Sequence, residues 1–355
     1  MTKRVLHSKI IVSETFSDKG DMMGATIKDV AKYTGLSIAT ISKYINGGNV
    51  LEKNRELIED AIVKLGFKVN ELARGLKTNR TKTIGVLIPE LDNIFCTTII
   101  SNVENILLRH GYSTIVCDYQ EDKELEKEKL KFLENKMVDG IIIIPTGENK
   151  DIIEEIQSRG TPIVLIDRAI KGLNCDAVLV DNLNAAYSAV EQLIIRGHKR
   201  IGIICGPERI YTTEERLKGY YRVHEDYMIE VDSSLIKYGD YRLEGGYNML
   251  SELVSMKNPP TAVFVTNYYM TLGAIIAINE SNIHIPEDIS LIGFDNLEMS
   301  RIFKPSLSMV VQPMKEISES AAELILRRLA GDILEVPHMY RLKVEVVVRD
   351  SVRNV

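Results

Sequence analysis

The chain has 355 residues, 45% of them hydrophobic, with 44 Lys and Arg against 50 Asp and Glu and a formal net charge of −6. That length and apolar content exclude a disordered chain and suffice for more than one buried core. Its net acidity excludes a protein that coats nucleic acid over its whole surface.

The first 23 residues hold only a short apolar run, Ile10-Ile11-Val12, bounded by Lys9 and His7, which is too short for an export signal or a membrane span. They read as a flexible extension or as the product of a misassigned start, since Met22 and Met23 immediately precede the first patterned segment. From Thr26 to Asn46 the spacing is that of a helix-turn-helix. Thr26 can cap a first helix in which Ile27, Val30 and Ala31 recur at helical spacing, Gly35 marks a tight turn, and Ser37 can cap a second helix. In that second helix Ile41 and Ile45 fall four apart and face inward, leaving Ser37, Ile38, Ala39, Ser42 and Lys43 free to meet a major groove. A third helical pattern runs from Glu52 to Leu65, where Leu57, Ile58, Ala61, Ile62 and Leu65 form one apolar stripe able to close a three-helix core. Any helical hairpin with a glycine turn looks like this, so the turn alone does not establish a DNA reader. Charge points the same way: residues 1–80 carry 14 Lys and Arg against 9 Asp and Glu, leaving 30 against 41 in the remainder. An excess of about five charges is not decisive by itself.

After Arg80 the pattern changes to alternating strands and helices. Continuous apolar runs at residues 83–89, 113–118, 140–145, 162–167, 177–181, 200–205, 262–266 and 289–293 read as strands covered on both faces. Helical patterns separate most of them, at 95–109, 123–136, 151–159, 185–196, 214–228, 245–255 and 271–280. This is a doubly wound parallel α/β architecture with more strands than one compact sheet usually carries, so two linked subdomains are expected. Cys96, Cys117, Cys175 and Cys205 lie scattered through it without a CxxC pair, which fits buried thiols in a reducing cytosol rather than disulfides or a zinc site. Ligands of open α/β sheets bind beyond the carboxyl ends of the strands. Asp92 and Asn93, Asp167 and Arg168, Asp181 and Asn182, Asn267, and Asp295 with Asn296 collect at those ends. Each alone fits an ordinary turn; together they point to a cleft with convergent hydrogen-bonding groups. Toward the end, residues 306–314 read as a returning strand, 316–329 as an amphipathic helix and 344–348 as a last strand, with no sustained heptads beyond.

No Walker loop, HExxH, GxSxG or ordered GxGxxG is present, and His110, His198, His224 and His284 lack metal-ligand spacing. No catalytic residue, metal or cofactor is therefore assigned. His198 fits a cation at a helix C-terminus better than a base.

Three stretches carry a family likeness: Ala25-Thr26-Ile27-Lys28-Asp29-Val30-Ala31, then Leu36-Ser37-Ile38-Ala39-Thr40-Ile41-Ser42-Lys43-Tyr44-Ile45-Asn46, then Leu65-Gly66-Phe67 continuing to Asn70-Glu71-Leu72-Ala73-Arg74-Gly75-Leu76. They resemble the lac repressor/galactose repressor family, and the likeness runs through nearly all the remaining chain. The resemblance implies DNA contacts from Thr26, Ser37, Ile38, Ala39, Thr40, Ser42, Lys43 and Asn46 in the head, and from Asn70, Ala73, Arg74, Leu76 and Lys77 in a hinge helix. Ile38 and Ala39 match the family's main base-reading positions and are apolar here, so they can touch thymine methyls but cannot form bidentate hydrogen bonds. Lys43 replaces a common arginine and acts as a point charge, which shifts discrimination toward Ser42 and Asn46. Leu76 matches a wedge that enters the minor groove; an ordinary helix leucine has the same look, but Arg74, Lys77 and Arg80 supply the cations that phosphates need.

For the body, the resemblance implies a pocket similar to that of periplasmic sugar-binding proteins. Arg216, in Arg216-Leu217-Lys218-Gly219-Tyr220, matches an arginine whose fork can clamp two hydroxyls or a carboxylate; a structural ion pair is the alternative. Asp295 matches an acidic partner, Asn267 an amide, and Phe95 and Tyr241 aromatic walls that could equally be core filling. Asp92, Thr212 and Arg168 complete the expected effector set. Asn267-Tyr268-Tyr269 departs from the family's Asn-Asp, so no named sugar is carried over.

The expected organisation is a flexible extension at 1–23, a head at 24–69, a hinge helix and linker at 70–81, and an effector-binding and dimerisation body at 82–355. Within the body the N-subdomain spans about 82–181 and 313–339, and the C-subdomain about 182–312 and 340–355. The expected function is that of a cytoplasmic, sequence-specific repressor. As a homodimer it would bind a pseudo-palindromic double-stranded operator under control of a small polar effector of the sugar class, without a membrane partner. The alternative is a sugar-binding receptor or sugar-acting enzyme without DNA function.

Overall fold

A computed structural model of the protein describes residues 25–68, 80–295, 298–332 and 337–355. The expected extension at 1–23 and the hinge residues Asn70, Ala73, Arg74, Leu76 and Lys77 lie outside the described residues. The chain divides into two compact units, with the division between Lys77 and Thr78.

The first unit contains α1 (Ile27–Thr34), α2 (Ile38–Ile45) and α3 (Glu52–Leu65). Thr26 stands at the first N-cap, where the Asp29 carboxylate accepts from its backbone N–H at 2.8 Å and its hydroxyl at 2.7 Å. Gly35 ends α1 in the left-handed region, at φ 69°, which removes the Cβ penalty of that conformation. Ser37 caps α2 by accepting from the Thr40 N–H at 3.1 Å. Val30, Ile41, Ile58 and Ala61 form the buried centre, with Ile27, Ala31, Leu36, Ile45, Ile62 and Leu65 packed around it. Leu57 corrects the expected stripe: it is 40% exposed. The apolar face of α3 is therefore narrower than spacing suggested.

The described residues of the second unit form two six-stranded sheets. The first contains β1 (Thr83–Ile88), β2 (Ser113–Asp118), β3 (Gly140–Ile143), β4 (Ile163–Ile166), β5 (Asp176–Val180) and β11 (Met339–Leu342), in the order β2-β1-β3-β4-β5-β11. All its pairings are parallel. The second contains β6 (Ile201–Cys205), β7 (Ile236–Tyr238), β8 (Ala262–Val265), β9 (Ser290–Phe294), β10 (Ser308–Val311) and β12 (Glu345–Val347), in the order β7-β6-β8-β9-β10-β12. Among its described residues only the β10–β12 pair is antiparallel. Both sheets repeat the strand order of a doubly wound fold, in which the switch point lies beside the first strand.

Strand alternation sends side chains to two cores per sheet. In β1, Ile84, Val86 and Ile88 meet Phe95, Ile99 and Val103 of α4 (Ile94–Arg109) and Ile317, Ala321 and Ile325 of α11 (Met314–Leu329). Leu87 faces the opposite core with Leu130 and Leu133 of α5 (Lys123–Asn135). Gly85 lies under that helix, where a Cβ would come within 2.7 Å of the Leu133 side chain. Helices α6 (Lys150–Ser158), α7 (Asn182–Ile194), α8 (Tyr211–Asp226), α9 (Leu243–Val254) and α10 (Tyr268–Asn279) complete the layers. All four cysteines are free and buried, and burial pushes the Cys175 and Cys205 thiols up to about 12.

The chain passes between the sheets three times: after β5, at Gln312-Pro313 between β10 and α11, and at Lys343-Val344 between β11 and β12. The last passage comes later than the expected change near 339–340, because Met339–Leu342 pairs with β5.

Candidate functional site

In the head, Ser37, Ile38, Ala39, Lys43 and Asn46 are exposed, while Thr40 and Ser42 are partly covered. Ile38, at 46% exposure, is an uncovered β-branched side chain on α2, which suits contact with a thymine methyl. Asn46 donates from Nδ2 to the Ser42 carbonyl at 2.7 Å and to its hydroxyl at 3.3 Å. These two candidate base readers thus engage each other. Lys43 is flanked by Gly48, where a Cβ would stand 2.7 Å from the Lys43 Cγ. The glycine lets the lysine stem lie flat along the turn. Tyr44 ties α2 to α3 by donating to Glu59 at 2.7 Å.

The body brings seven of the eight expected effector residues together. Phe95, Arg168, Thr212, Arg216, Tyr241, Asn267 and Asp295 line one cavity between the carboxyl ends of the two sheets. Asp92 does not; it lies on the exposed turn after β1, and its backbone carbonyl accepts from the Tyr269 phenol at 2.6 Å. Asn93, its neighbour, lines the cavity and caps α4 by accepting from the Phe95 N–H at 3.0 Å. The Asn267 side chain likewise caps α10, accepting from the Met270 N–H at 3.0 Å.

Arg216 is held from three sides. Its Nε donates to the Asn182 side chain at 2.8 Å, its Nη1 donates to the Thr266 carbonyl at 2.5 Å, and the guanidinium stacks 3.6 Å from the Phe294 ring centroid. Among the described residues Nη2 forms no hydrogen bond. The planar fork is therefore held in one orientation. Asp295 is buried at the end of β9 in a left-handed conformation, at φ 74°, and accepts from Gln312 Nε2. Burial raises its carboxyl above the ordinary value of 3.8 against the opposing pull of Arg216, and burial raises Asp167 in the same direction. Tyr241 is also left-handed, at φ 65°. Its hydroxyl is bracketed by Thr212 and Thr213, each at 2.8 Å. Its ring lies over Gly206, where a Cβ would be 2.1 Å from two ring carbons.

Arg168 does not present an open fork. Glu121 binds both terminal nitrogens, at 2.9 and 2.6 Å. Sequence reasoning missed Glu121, Gln312 and Glu90. Glu121 follows the end of β2 and Gln312 the end of β10, so the strand-end rule that found their neighbours applies to both.

Asn182 and Gln312 stand where the chain passes between the sheets, and each bonds a cleft group, Arg216 or Asp295. Two groups of the cleft are thereby bonded to the connections between the sheets.

Residues 26–70 match the model described as bacterial regulatory proteins, lacI family, and residues 190–352 the periplasmic binding protein-like domain. The chain is 33% identical over 335 residues to the HTH-type transcriptional repressor PurR of Haemophilus influenzae (strain PittEE), covering 93% of this chain and 99% of that protein. The transcriptional regulator CelR in complex with cellobiose superposes with a TM-score of 0.71 at 26% identity, over 92% of this chain and 99% of that one. The lac repressor dimer bound to operator and the anti-inducer ONPF gives a TM-score of 0.84 at 24% identity, over 93% and 99%, a likeness of fold. No described helix is long and apolar enough to cross a membrane. With a helix-turn-helix head, a two-sheet body and this relationship over nearly its whole length, the chain belongs to the lacI family of bacterial regulatory proteins and is a DNA-binding transcriptional repressor.

Proposed function

We propose that the protein is a cytoplasmic homodimer that binds a pseudo-palindromic operator and whose affinity for it is set by a sugar-class effector in the cleft between its two sheets, without enzymatic turnover. The observation that carries this reading is the bonding of Arg216 to Asn182 and of Asp295 to Gln312. An effector that recruits Arg216 and Asp295 acts on the inter-sheet connections through one hydrogen bond each. It shifts the arrangement of the subdomains only by the difference in its affinity for the two arrangements.

In this reading Thr26, Ser37, Ile38, Ala39, Thr40, Ser42, Lys43 and Asn46 contact the operator, those of the second helix in the major groove, and Thr26 also caps the first helix. Asn70, Ala73, Arg74, Leu76 and Lys77 form the hinge helix, with Leu76 as the minor-groove wedge. Phe95 and Tyr241 flank a sugar ring while Arg216, Asp295 and Asn267 take its hydroxyls.

The test is operator binding by the full-length protein to its own upstream DNA, with and without a panel of sugars. A preference for a palindromic duplex that changes with one of them is expected. Leu76→Ala should weaken that preference while leaving the body folded. Equal affinity for palindromic and random duplexes under every condition rejects the reading, and turnover of a sugar restores an enzyme.

A further inference from the structure

We infer that the cleft is built for an effector without negative charge, a neutral polyhydroxy compound, and that Glu121 is the residue that enforces this choice; the inference rests on the effector reading of the cleft. Among the described residues two cations line the cavity, Arg168 and Arg216, against five carboxylates, Glu90, Glu121, Asp167, Asp240 and Asp295. Recognition of a phosphate or carboxylate uses a guanidinium whose terminal nitrogens are open to two parallel bonds. Among the described residues Arg168 does not offer that, and Arg216 keeps only Nη2 without a partner. Glu121 occupies both terminal nitrogens of Arg168, and Arg216 already spends Nε and Nη1 on Asn182 and Thr266. An anion entering here would meet an excess of fixed negative charge and no open fork.

What remains unpartnered suits hydroxyl groups. The Nε of Arg168 and the Oε1 of Gln312 are buried without a hydrogen bond; the Asp167 carboxylate stands 3.7 Å from that Nε. These are a single donor and a single acceptor, which a neutral polyol can satisfy with its own paired donors and acceptors. Leaving them buried and bare is unfavourable, so a ligand that bonds both is favoured.

Glu121 is held by a turn whose geometry its sequence does not prefer. The Asp122 N–H donates to the Tyr119 carbonyl at 2.9 Å, and the two residues between, Gln120 and Glu121, are both left-handed, at φ 53° and 54°. Turns of that kind favour Asn-Gly. Anchors on both sides maintain this one: the buried Tyr119 donates its hydroxyl to the Ile144 carbonyl at 2.7 Å, and Asp122 caps α5 through Glu124 and Leu125, each at 2.8 Å. The result aims a carboxylate at Arg168.

The decisive experiment titrates inorganic phosphate into the full-length protein and into Glu121→Gln at constant ionic strength. Phosphate bound by the head is common to both, so the difference reports the cleft. Glu121→Gln keeps the shape but loses the negative charge and one of the two acceptors that hold the Arg168 fork, and a gain of about tenfold or more in phosphate affinity is expected. No gain in a variant whose thermal unfolding shows it folded overturns the inference. So does a wild-type protein that binds ribose 5-phosphate more tightly than ribose, a comparison that needs no variant. If the phosphate contrast holds but no sugar alters operator affinity, the effector reading fails while the charge assignment stands. If a sugar alters operator affinity and the contrast is absent, the reverse is true.

Discussion

The Tyr269 phenol donates to the backbone carbonyl of Asp92 at 2.6 Å, joining the start of α10 on the second sheet to the turn that follows β1 on the first. An ion pair of Arg242 with Glu90 at 3.0 Å also joins the two sheets. The phenol bond is a neutral hydrogen bond with a net worth of about 0.5–1.5 kcal/mol. Arg242 is 64% exposed, so its pair contributes no more than about 1 kcal/mol. Tyr269→Phe should therefore weaken a ligand that requires this arrangement by up to about tenfold and increase the radius of gyration measured by small-angle scattering. An unchanged radius and affinity would show that the bond follows closure rather than favouring it.

Gly206→Ala should disable the cleft through Tyr241. A methyl group at 206 would lie 2.1 Å from two atoms of that ring, so the ring must leave the hydroxyls of Thr212 and Thr213. Overpacking of this kind costs about 1–3 kcal/mol. Expected outcomes are a lower melting temperature and a lost effector response, with operator affinity of the unliganded protein retained. A retained response would remove Tyr241 from the binding surface.

Much of this organisation was legible in the sequence because burial on both faces leaves a plain mark. The central strands are unbroken apolar runs, and the helices of the head follow Val30, Ile41 and Ile58 at helical spacing. The strands that escaped notice are edges. Ile236–Tyr238 is three residues with a lysine in the middle, and Met339–Leu342 alternates exposed and half-buried positions. Asn267 was legible as a cleft residue, yet its side chain spends an oxygen on capping α10, the ordinary role of Asn before a helix. Glu121 and Gln312 stand just past strand ends, within reach of the strand-end rule, but the role of each lies in Arg168 and Asp295, partners 47 and 17 residues away. No local spacing records such a pairing.

Lys43 offers a test of how the head reads DNA. It is exposed on α2, and as an ammonium it interacts with a phosphate or a base acceptor as a point charge. If it meets a phosphate, Lys43→Ala should weaken binding to specific and nonspecific duplexes alike and reduce the slope of log affinity against log salt by about 1. If it reads a base, the loss should fall on the operator alone. Titrations at several salt concentrations separate the two, and Ile38→Ala, which changes no charge, should leave the slope unaltered while reducing preference for thymine at one position.

The buried carboxyl of Asp295 predicts an unusual pH dependence. Burial raises it above 3.8, and Asp167 adds to the effect. The folded state therefore holds this proton more tightly than the unfolded state does, so its contribution to stability is lost as pH rises from the ordinary aspartate value through the raised one. Asp232 behaves oppositely: hydrogen bonds from Ser234 and Arg200 depress it to about 2, and what it contributes is lost as pH falls. Comparison with Asp295→Asn isolates the buried group, because the amide oxygen can still accept from Gln312. The variant should melt at a higher temperature near neutral pH and lose the decline that begins above the ordinary aspartate value, while failing to respond to a ligand whose hydroxyls donate to the carboxylate. Thermal unfolding from acid to neutral pH measures this directly. A variant no more stable than the native protein at pH 7 would mean that Arg216 already offsets the burial of Asp295, and that the cleft stores no instability for a ligand to relieve.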